Sequence, residues 1–594
     1  MLRYRSLQHA LQYFLGVGAV CLISVSASGQ MTASLPGWNT NPTGATVSGQ
    51  PTRAMTAAYD EYNFSRLPPA DHLVNFTAIS IKTPGFELAD WNVTGRGGFN
   101  QVHASEPAPA ATSSSDALTW HGITFYGAYD IGFGWVSHGL PQSPYNYEGS
   151  SLANRNAAGS RFLVEPDNLS QTSLGIRGDV EFAHGWSVVF NASTGINPQS
   201  GQLSNASLTD IKDNGLPRAD YSEAIDGARA GQPLNDEYYG GVSSSAFGTL
   251  TFGRQRALGT DTMLLYDPVA GGYAFSYIGY NGTMAGGGDT EDTRWDDAVK
   301  YRLTYGPVHF GAMYKFVDGT GGCYSTAAAA GTSWAAATTT SDSGPIPGCT
   351  AVQPHNDAWG FNLGGNYHKL SSDIVYQHYN EAIGVLNPLL GPQSVSASYQ
   401  STTDSIDTTP ITGTNLISTD NTVYGIVTDN DAVMGTAKYA WHHFKFFAGY
   451  EYIWQNNPKN PLGVGATDQG GYLMSGVEDN NLDSEKIVQI WWTGGKYTYR
   501  TKTDITFSWY GQAQNDFRYP KTCTVSSYRS SCAGDLQEGS LYTDHRFTRR
   551  FDGFVGLAYS FVTGGLAIAI PHGPGVRYLH NNNFAPTVGG RFTF

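Results

Sequence analysis

Residues 584–594 read Phe-Ala-Pro-Thr-Val-Gly-Gly-Arg-Phe-Thr-Phe (FAPTVGGRFTF). Successive side chains of an extended strand point to opposite faces. Phe584, Val588, Phe592 and Phe594 therefore share one face, and Ala585, Thr587, Gly589, Arg591 and Thr593 share the other. One face is apolar and the other is small and polar. The same two-faced pattern recurs upstream. In the stretch from Trp120, Ile123, Phe125, Tyr129, Ile131, Phe133 and Trp135 oppose Thr124, Tyr126, Ala128, Asp130, Gly132 and Gly134. Val308, Phe310, Ala312, Tyr314 and Phe316 oppose His309, Gly311, Met313 and Lys315. Strands that alternate apolar-out and polar-in are what a closed transmembrane barrel requires.

Composition agrees. Of 594 residues only 14% are charged, whereas 13% are aromatic and 72 are glycine. An average soluble domain has about 25% charged residues. Mean hydropathy is −0.29, too low for a bundle of membrane helices. A barrel needs an apolar residue only at every second position of each strand. The net charge of −15 argues against a nucleic-acid partner.

The one long apolar run is Leu11 to Val25, preceded by Arg3 and Arg5 and followed by Ser26-Ala27-Ser28-Gly29. This is the pattern of a secretory signal, residues 1–29. The run is shorter than the roughly 20 residues of a spanning helix. Residues 30–117 are rich in Pro, Asn, Ser and Ala and end in the linker Ala104–Asp116. They are expected to form a poorly ordered extension. The barrel is expected over 118–594.

Strand pairs joined by tight turns follow one another, with turns at 183–185, 246–248, 306–307, 369–372, 443, 501–502 and 548–549. With the first and last strands this gives an all-β antiparallel barrel of about sixteen strands, an even number. Long connections such as 316–357 and 381–428 fall on one side and short turns on the other. Short turns face the periplasm and long loops face outside. Beyond the signal the cysteines are Cys323, Cys349, Cys523 and Cys532. They form two sequence-local pairs in an exported chain, so disulfides Cys323–Cys349 and Cys523–Cys532 are expected. Free thiols and the crossed pairing are the alternatives. No His or Cys lies at metal-ligand spacing beside them, and neither a metal nor a cofactor is expected.

The strand pairs resemble the general porins of Gram-negative bacteria. The resemblance is carried by Leu174-Gly175-Ile176-Arg177-Gly178, by Phe247-Gly248-Thr249-Leu250-Thr251-Phe252-Gly253-Arg254-Gln255, by Ala298-Val299-Lys300-Tyr301 before Phe310-Gly311-Ala312-Met313-Tyr314, and by Val588-Gly589-Gly590-Arg591-Phe592. It spans Trp120 to Phe594, with poor register between about 380 and 545.

The resemblance implies a trimeric diffusion channel in the outer membrane. It implies Phe594 as the signal read by the barrel-assembly machinery, and lipid and lipopolysaccharide as surroundings. It also implies that the third external loop, Ala257 to Thr293, folds inward and narrows the pore. That loop carries Asp261, Asp267, Asp289, Glu291 and Asp292. Opposite it, Arg177, Arg294, Lys300 and Arg302 fall on inward wall positions, while two positions often basic in the family are Ser173 and Asp236. Opposed charges in a narrow cleft focus the field and select ions. A thinned basic wall leads to an expected weak cation preference. The function expected is passive diffusion of small hydrophilic solutes and ions, without catalysis. A solute-specific channel, for sugars for instance, is the nearest alternative, and inward aromatics would favour it. A barrel enzyme is the other, but no nucleophile–base motif accompanies His355, His545, His572 or His580.

Overall fold

The structure is a computed structural model. It describes residues 118–140, 160–196, 233–278, 294–317, 355–386, 423–460, 482–518, 531–567 and 580–594. It also describes the short pieces 323–325, 349–351, 467–469 and 472–478 and the isolated positions 198, 201, 203 and 523. The expected signal 1–29 and extension 30–117 lie outside the described residues, as do Asp289, Glu291 and Asp292.

The main sheet holds twenty strand segments among the described residues. Four are short additions: Leu118–Trp120, Arg161–Pro166, Thr467–Gln469 and Tyr472–Glu478. The other sixteen make the wall: β1 (Ile123–Val136), β2 (Ser173–Ala183), β3 (Trp186–Gly195), β4 (Tyr238–Ser244), β5 (Gly248–Arg256), β6 (Arg294–Tyr305), β7 (Val308–Lys315), β8 (Ala358–Tyr367), β9 (Leu370–Leu386), β10 (Val423–Trp441), β11 (Phe444–Asn456), β12 (Lys486–Tyr499), β13 (Thr503–Gln514), β14 (Gly534–Arg546), β15 (Phe551–Val562) and β16 (Asn582–Thr593). Each pairs antiparallel with its neighbour in sequence, and β16 pairs with β1 (Tyr129 opposite Phe592, Phe133 opposite Val588), which closes the barrel. Closure removes both free edges, so every wall backbone group can be satisfied within the sheet.

The alternation sorts the side chains as expected. Phe125, Tyr129, Phe133, Val588 and Phe592 are exposed on the outside, where lipid takes them up. Their neighbours Tyr126, Ala128, Asp130, Ala585 and Arg591 are buried inside. The tight turns need left-handed backbone. Gly248 has φ +81°, and a Cβ there would run into the Arg302 carbonyl. Gly364 is required for a different reason: a Cβ would fall on the Asp373 carboxylate across the strand pair.

β9 and β10 run to 17 and 19 residues, reaching Leu386 and starting at Val423, both inside the long connection expected over 381–428. The two strands keep pairing above a bulge between Tyr379 and Ala382, where Glu381 adopts φ +53°. The bulge shifts the two-residue period there, and that shift hides the continuation from a reading of alternation.

Candidate pore constriction

A sixteen-stranded barrel is too wide for wall side chains alone to fill. Here the third external connection folds into it. From the end of β5 the chain forms helix α1 (Leu258–Tyr266), of which all residues but Leu265 are buried. No helix was expected in this loop from the sequence. α1 is buried on nearly every side, its Thr260, Asp261 and Thr262 included, so it lacks the one-sided apolar stripe by which surface helices are recognised.

α1 and the segment after it lie along the inner wall of β8 to β15. The Gly259 N–H donates to Gln377 Oε1 on β9. Tyr266 Oη donates to Asp373 Oδ2 at 3.0 Å, and Asp373 also pairs with His309 of β7. Trp492 Nε1 on β12 donates to the Tyr266 carbonyl at 3.0 Å. Further on, the Phe275 ring stacks on Tyr542 of β14 at 4.7 Å and meets Phe554 of β15 edge-on. Ser540 Oγ donates to the Phe275 carbonyl at 2.6 Å, and Tyr277 Oη donates to Gln512 Oε1 at 2.5 Å. The inward aromatics Trp492, Tyr510, Tyr542 and Phe554 are thus engaged by the loop.

Asp267, a loop acid of the expected constriction, sits at the hub of this attachment. Its carboxylate accepts from Tyr510 Oη at 2.6 Å, Ser276 Oγ at 2.8 Å and the N–H groups of Gly271 at 2.5 Å and Val269 at 3.2 Å. Burial holds its carboxyl above the usual range, and these four donors offset that only in part.

Asp261, in the first turn of α1, meets the wall on the other side. It lies 3.3 Å from Arg302 and 3.9 Å from Lys300 of β6. Around that contact β4, β5 and β6 carry a ladder of charges. The register sets Tyr238 against Arg254 and Arg256 against Arg294, so the upper ends of the three strands meet. Arg294 pairs with Asp236. Arg256 lies 3.7 Å from Asp236 and 3.8 Å from Glu237, and Arg254 pairs with Asp296 at 2.5 Å. The ladder continues towards β1: Asn191 Nδ2 donates to Glu237 at 3.0 Å, Tyr126 Oη donates to Asn191 at 2.6 Å, and the Arg177 guanidinium lies 5.2 Å over the Tyr126 ring.

Asp236 and Arg294 thus pair directly just ahead of β4 and on β6, Arg177 reaches them through Tyr126, Asn191, Glu237 and Arg256, and Lys300 and Arg302 face Asp261 on the same side of the barrel. Ser173 is buried on β2. Arg254, Arg256, Glu237 and Asp296 belong to the same ladder but were missed in the sequence. Arg254 and Arg256 stand two residues apart, a same-face spacing that was available as a signal. Glu237 lies just outside an alternating segment, and the irregularity between Gly253 and Gln255 blurs which face its partners take.

Cys523 and Cys532 are disulfide-bonded, with Cα atoms 5.6 Å apart, and pin the connection after β13. The backbone pairs Cys323–Ser325 with Cys349–Ala351, but the side chains of Cys323 and Cys349 lie outside the described set. Phe594 exchanges backbone hydrogen bonds with Gly127, and its ring packs 5.5 Å from Phe125.

Comparison with known proteins agrees with this architecture. The family model described as Gram-negative porin matches residues 102–564. No curated protein matches. Among solved structures the chain is similar to an anion-selective porin from Comamonas acidovorans, with 15% identity, TM-score 0.45, and 80% of this chain and 99% of that one covered. It is also similar to OmpT, an outer membrane protein of Vibrio cholerae, at 11% identity and TM-score 0.43, covering 81% and 100%. The outer membrane channel DcaP of Acinetobacter baumannii matches at 10% identity and TM-score 0.40, covering 80% and 97%. With the family model matched over most of its length and a closed sixteen-strand barrel, the chain belongs to the Gram-negative porins and is an outer-membrane channel.

Proposed function

We propose that the channel passes small hydrophilic solutes and ions by passive diffusion, with its narrowest point between α1 and the charged ladder of β4 to β6. The observation that carries this reading is the Asp261 contact with Arg302 and Lys300, where the inner loop meets the basic wall. Asp261 is then the acid of the constriction, and Asp267 holds the loop to the far wall. Field focusing between opposed charges acts on permeating ions.

The cation preference expected from the sequence rested on a thinned basic wall. Arg254 and Arg256 restore bases to it. Asp236, Glu237, Asp261 and Asp296 now stand against Arg254, Arg256, Arg294, Lys300 and Arg302. With charges so nearly balanced and already paired, we propose weak ion discrimination. Trimer formation is supported by the low wall at β4 and β7, with 7 and 8 residues. A tilted membrane strand takes about 9–11 residues, so a neighbouring subunit covers the short side more readily than lipid does. Lipopolysaccharide and lipid meet the tall aromatic side, and Phe594 serves as the signal for the assembly machinery.

The test is the reversal potential across a planar bilayer under a salt gradient. The intact protein should give a value near zero. Asp261→Asn removes the acid facing Arg302 and Lys300 and should move the reversal potential towards anion preference. An unchanged potential in this variant would contradict the assignment of Asp261.

A further inference from the structure

The seam between β16 and β1 continues past the end of β1 on its outer side. The Ser137 N–H donates to the Phe584 carbonyl at 3.0 Å, and the Phe584 N–H donates to Ser137 Oγ at 3.0 Å. Asn583 Oδ1 then accepts three bonds from the chain leaving β1. They come from the Gly139 N–H at 2.9 Å, Ser137 Oγ at 3.2 Å and the His138 N–H at 3.4 Å. Gly139 turns this chain with φ +69°, and Val136 and Leu140 to either side are fully buried. The first external connection therefore starts against the barrel interior, and its start is held by the residues that end the last external connection.

Beside these bonds the rings of His138 and His580 lie face to face, with centroids 3.7 Å apart and planes 17° from parallel. One ring comes from the first connection and the other from the last. Both lie outside the wall strands, which end at Val136 and begin at Asn582. His138 is half-buried and His580 is exposed, so protons reach the pair from the external medium. Histidine changes charge between pH 5 and 8. Two neutral imidazoles stack, whereas two imidazoliums at this separation repel. Burial first, and then the charge of His580, hold the His138 ring below the ordinary histidine range, although the carbonyls of Gly139 and Asn582 favour its charged form. Among the described residues no carboxylate and no other base acts on His138. Its neighbours Ser137, Asn582 and Asn583 do not titrate.

We infer that His138 and His580 form a proton-sensitive clasp between the first and the last external connection, closed while both rings are neutral and released when both are charged. A histidine held below its ordinary range stabilises the closed arrangement fully above about pH 6.5, and that contribution is lost as the pH falls through the lowered value. Release frees Ser137 to Leu140 from Asn583 at the outer mouth of the channel. The inference rests on the geometry of the seam, not on the proposed solute or ion discrimination.

The experiment is hydrogen exchange of the full-length protein in lipid nanodiscs, read by mass spectrometry at about pH 7.5 and about pH 5, either side of the ordinary histidine range. Rates are corrected for the intrinsic pH dependence of exchange. The amides of Ser137, His138 and Gly139 should lose protection on the order of tenfold at the lower pH, while those of Tyr126 to Phe133 within β1 stay protected. His580→Phe keeps a ring over His138 without a charge and should keep the protection at both pH values. Protection unchanged with pH in the parent protein would overturn the inference, as would an equal loss in His580→Phe. If His580→Phe does not fold, His138→Phe is read against the same two outcomes. A folded protein that passes no current sinks the proposed function and leaves the exchange readout to decide the clasp.

Discussion

Asp130 is the residue whose role is most fully determined by its surroundings. It faces inward on β1 and is completely buried. Its carboxylate accepts the backbone N–H groups of Asn168, Leu169 and Ser170 at 3.0, 2.8 and 2.9 Å. These N–H groups lie where the chain turns between Arg161–Pro166 and β2. Asp130→Ala leaves three buried donors without a partner, at about 1–3 kcal/mol each. The variant should lose on the order of 3 kcal/mol or more of stability, read as an earlier midpoint of urea unfolding in vesicles, with single-channel conductance retained once folded. The sequence placed Asp130 on the inward face but gave no sign of this role, because its partners are backbone groups 38 to 40 positions away. The same limit applies to Asp267. An acid in a loop reads as a charge offered to the pore, whereas its four donors are fixed by how the loop folds.

At the scale of elements, the wall strands and the inner loop were legible to different degrees. Each wall strand carries its own period-2 pattern, so pairs such as β6–β7 and β15–β16 can be recognised one at a time. The infolding of the third loop entered only through family resemblance, and its helix was not seen. Its attachment depends on residues from β9, β12, β13 and β14 that no local pattern links. Tyr510 tests that attachment. Its hydroxyl is a partner of the buried Asp267 carboxylate, and a hydrogen bond to a charged group contributes about 1.5–3 kcal/mol. Tyr510→Phe keeps the ring and removes the hydroxyl. The expected outcome is an intact barrel with a looser inner loop, seen as greater open-channel current noise. A quiet channel indistinguishable from the parent would show that Asp267 does not need this partner. The Cys523–Cys532 disulfide belongs to the same scale. Its reduction should speed protease cleavage between the two cysteines and leave the barrel folded.

For the whole molecule, the low charge content, the aromatics and the repeated two-faced strands point to one closed wall, and the chain closes it as β16 meets β1. What the sequence did not yield is how the interior divides. One half, β8 to β15, is occupied by the inner loop; the other, β2 to β6, carries a paired ladder of charge. That division is a property of the folded ring, because it brings together residues from ten or more strands. It also carries the central claim, that an inner loop held on one side leaves a charged passage on the other. Single-channel recording of the refolded protein in a planar bilayer tests this most directly. The account predicts stable openings in groups of three, with a reversal potential near zero under a salt gradient. Heat-modifiable, fully folded protein that passes no current would contradict it.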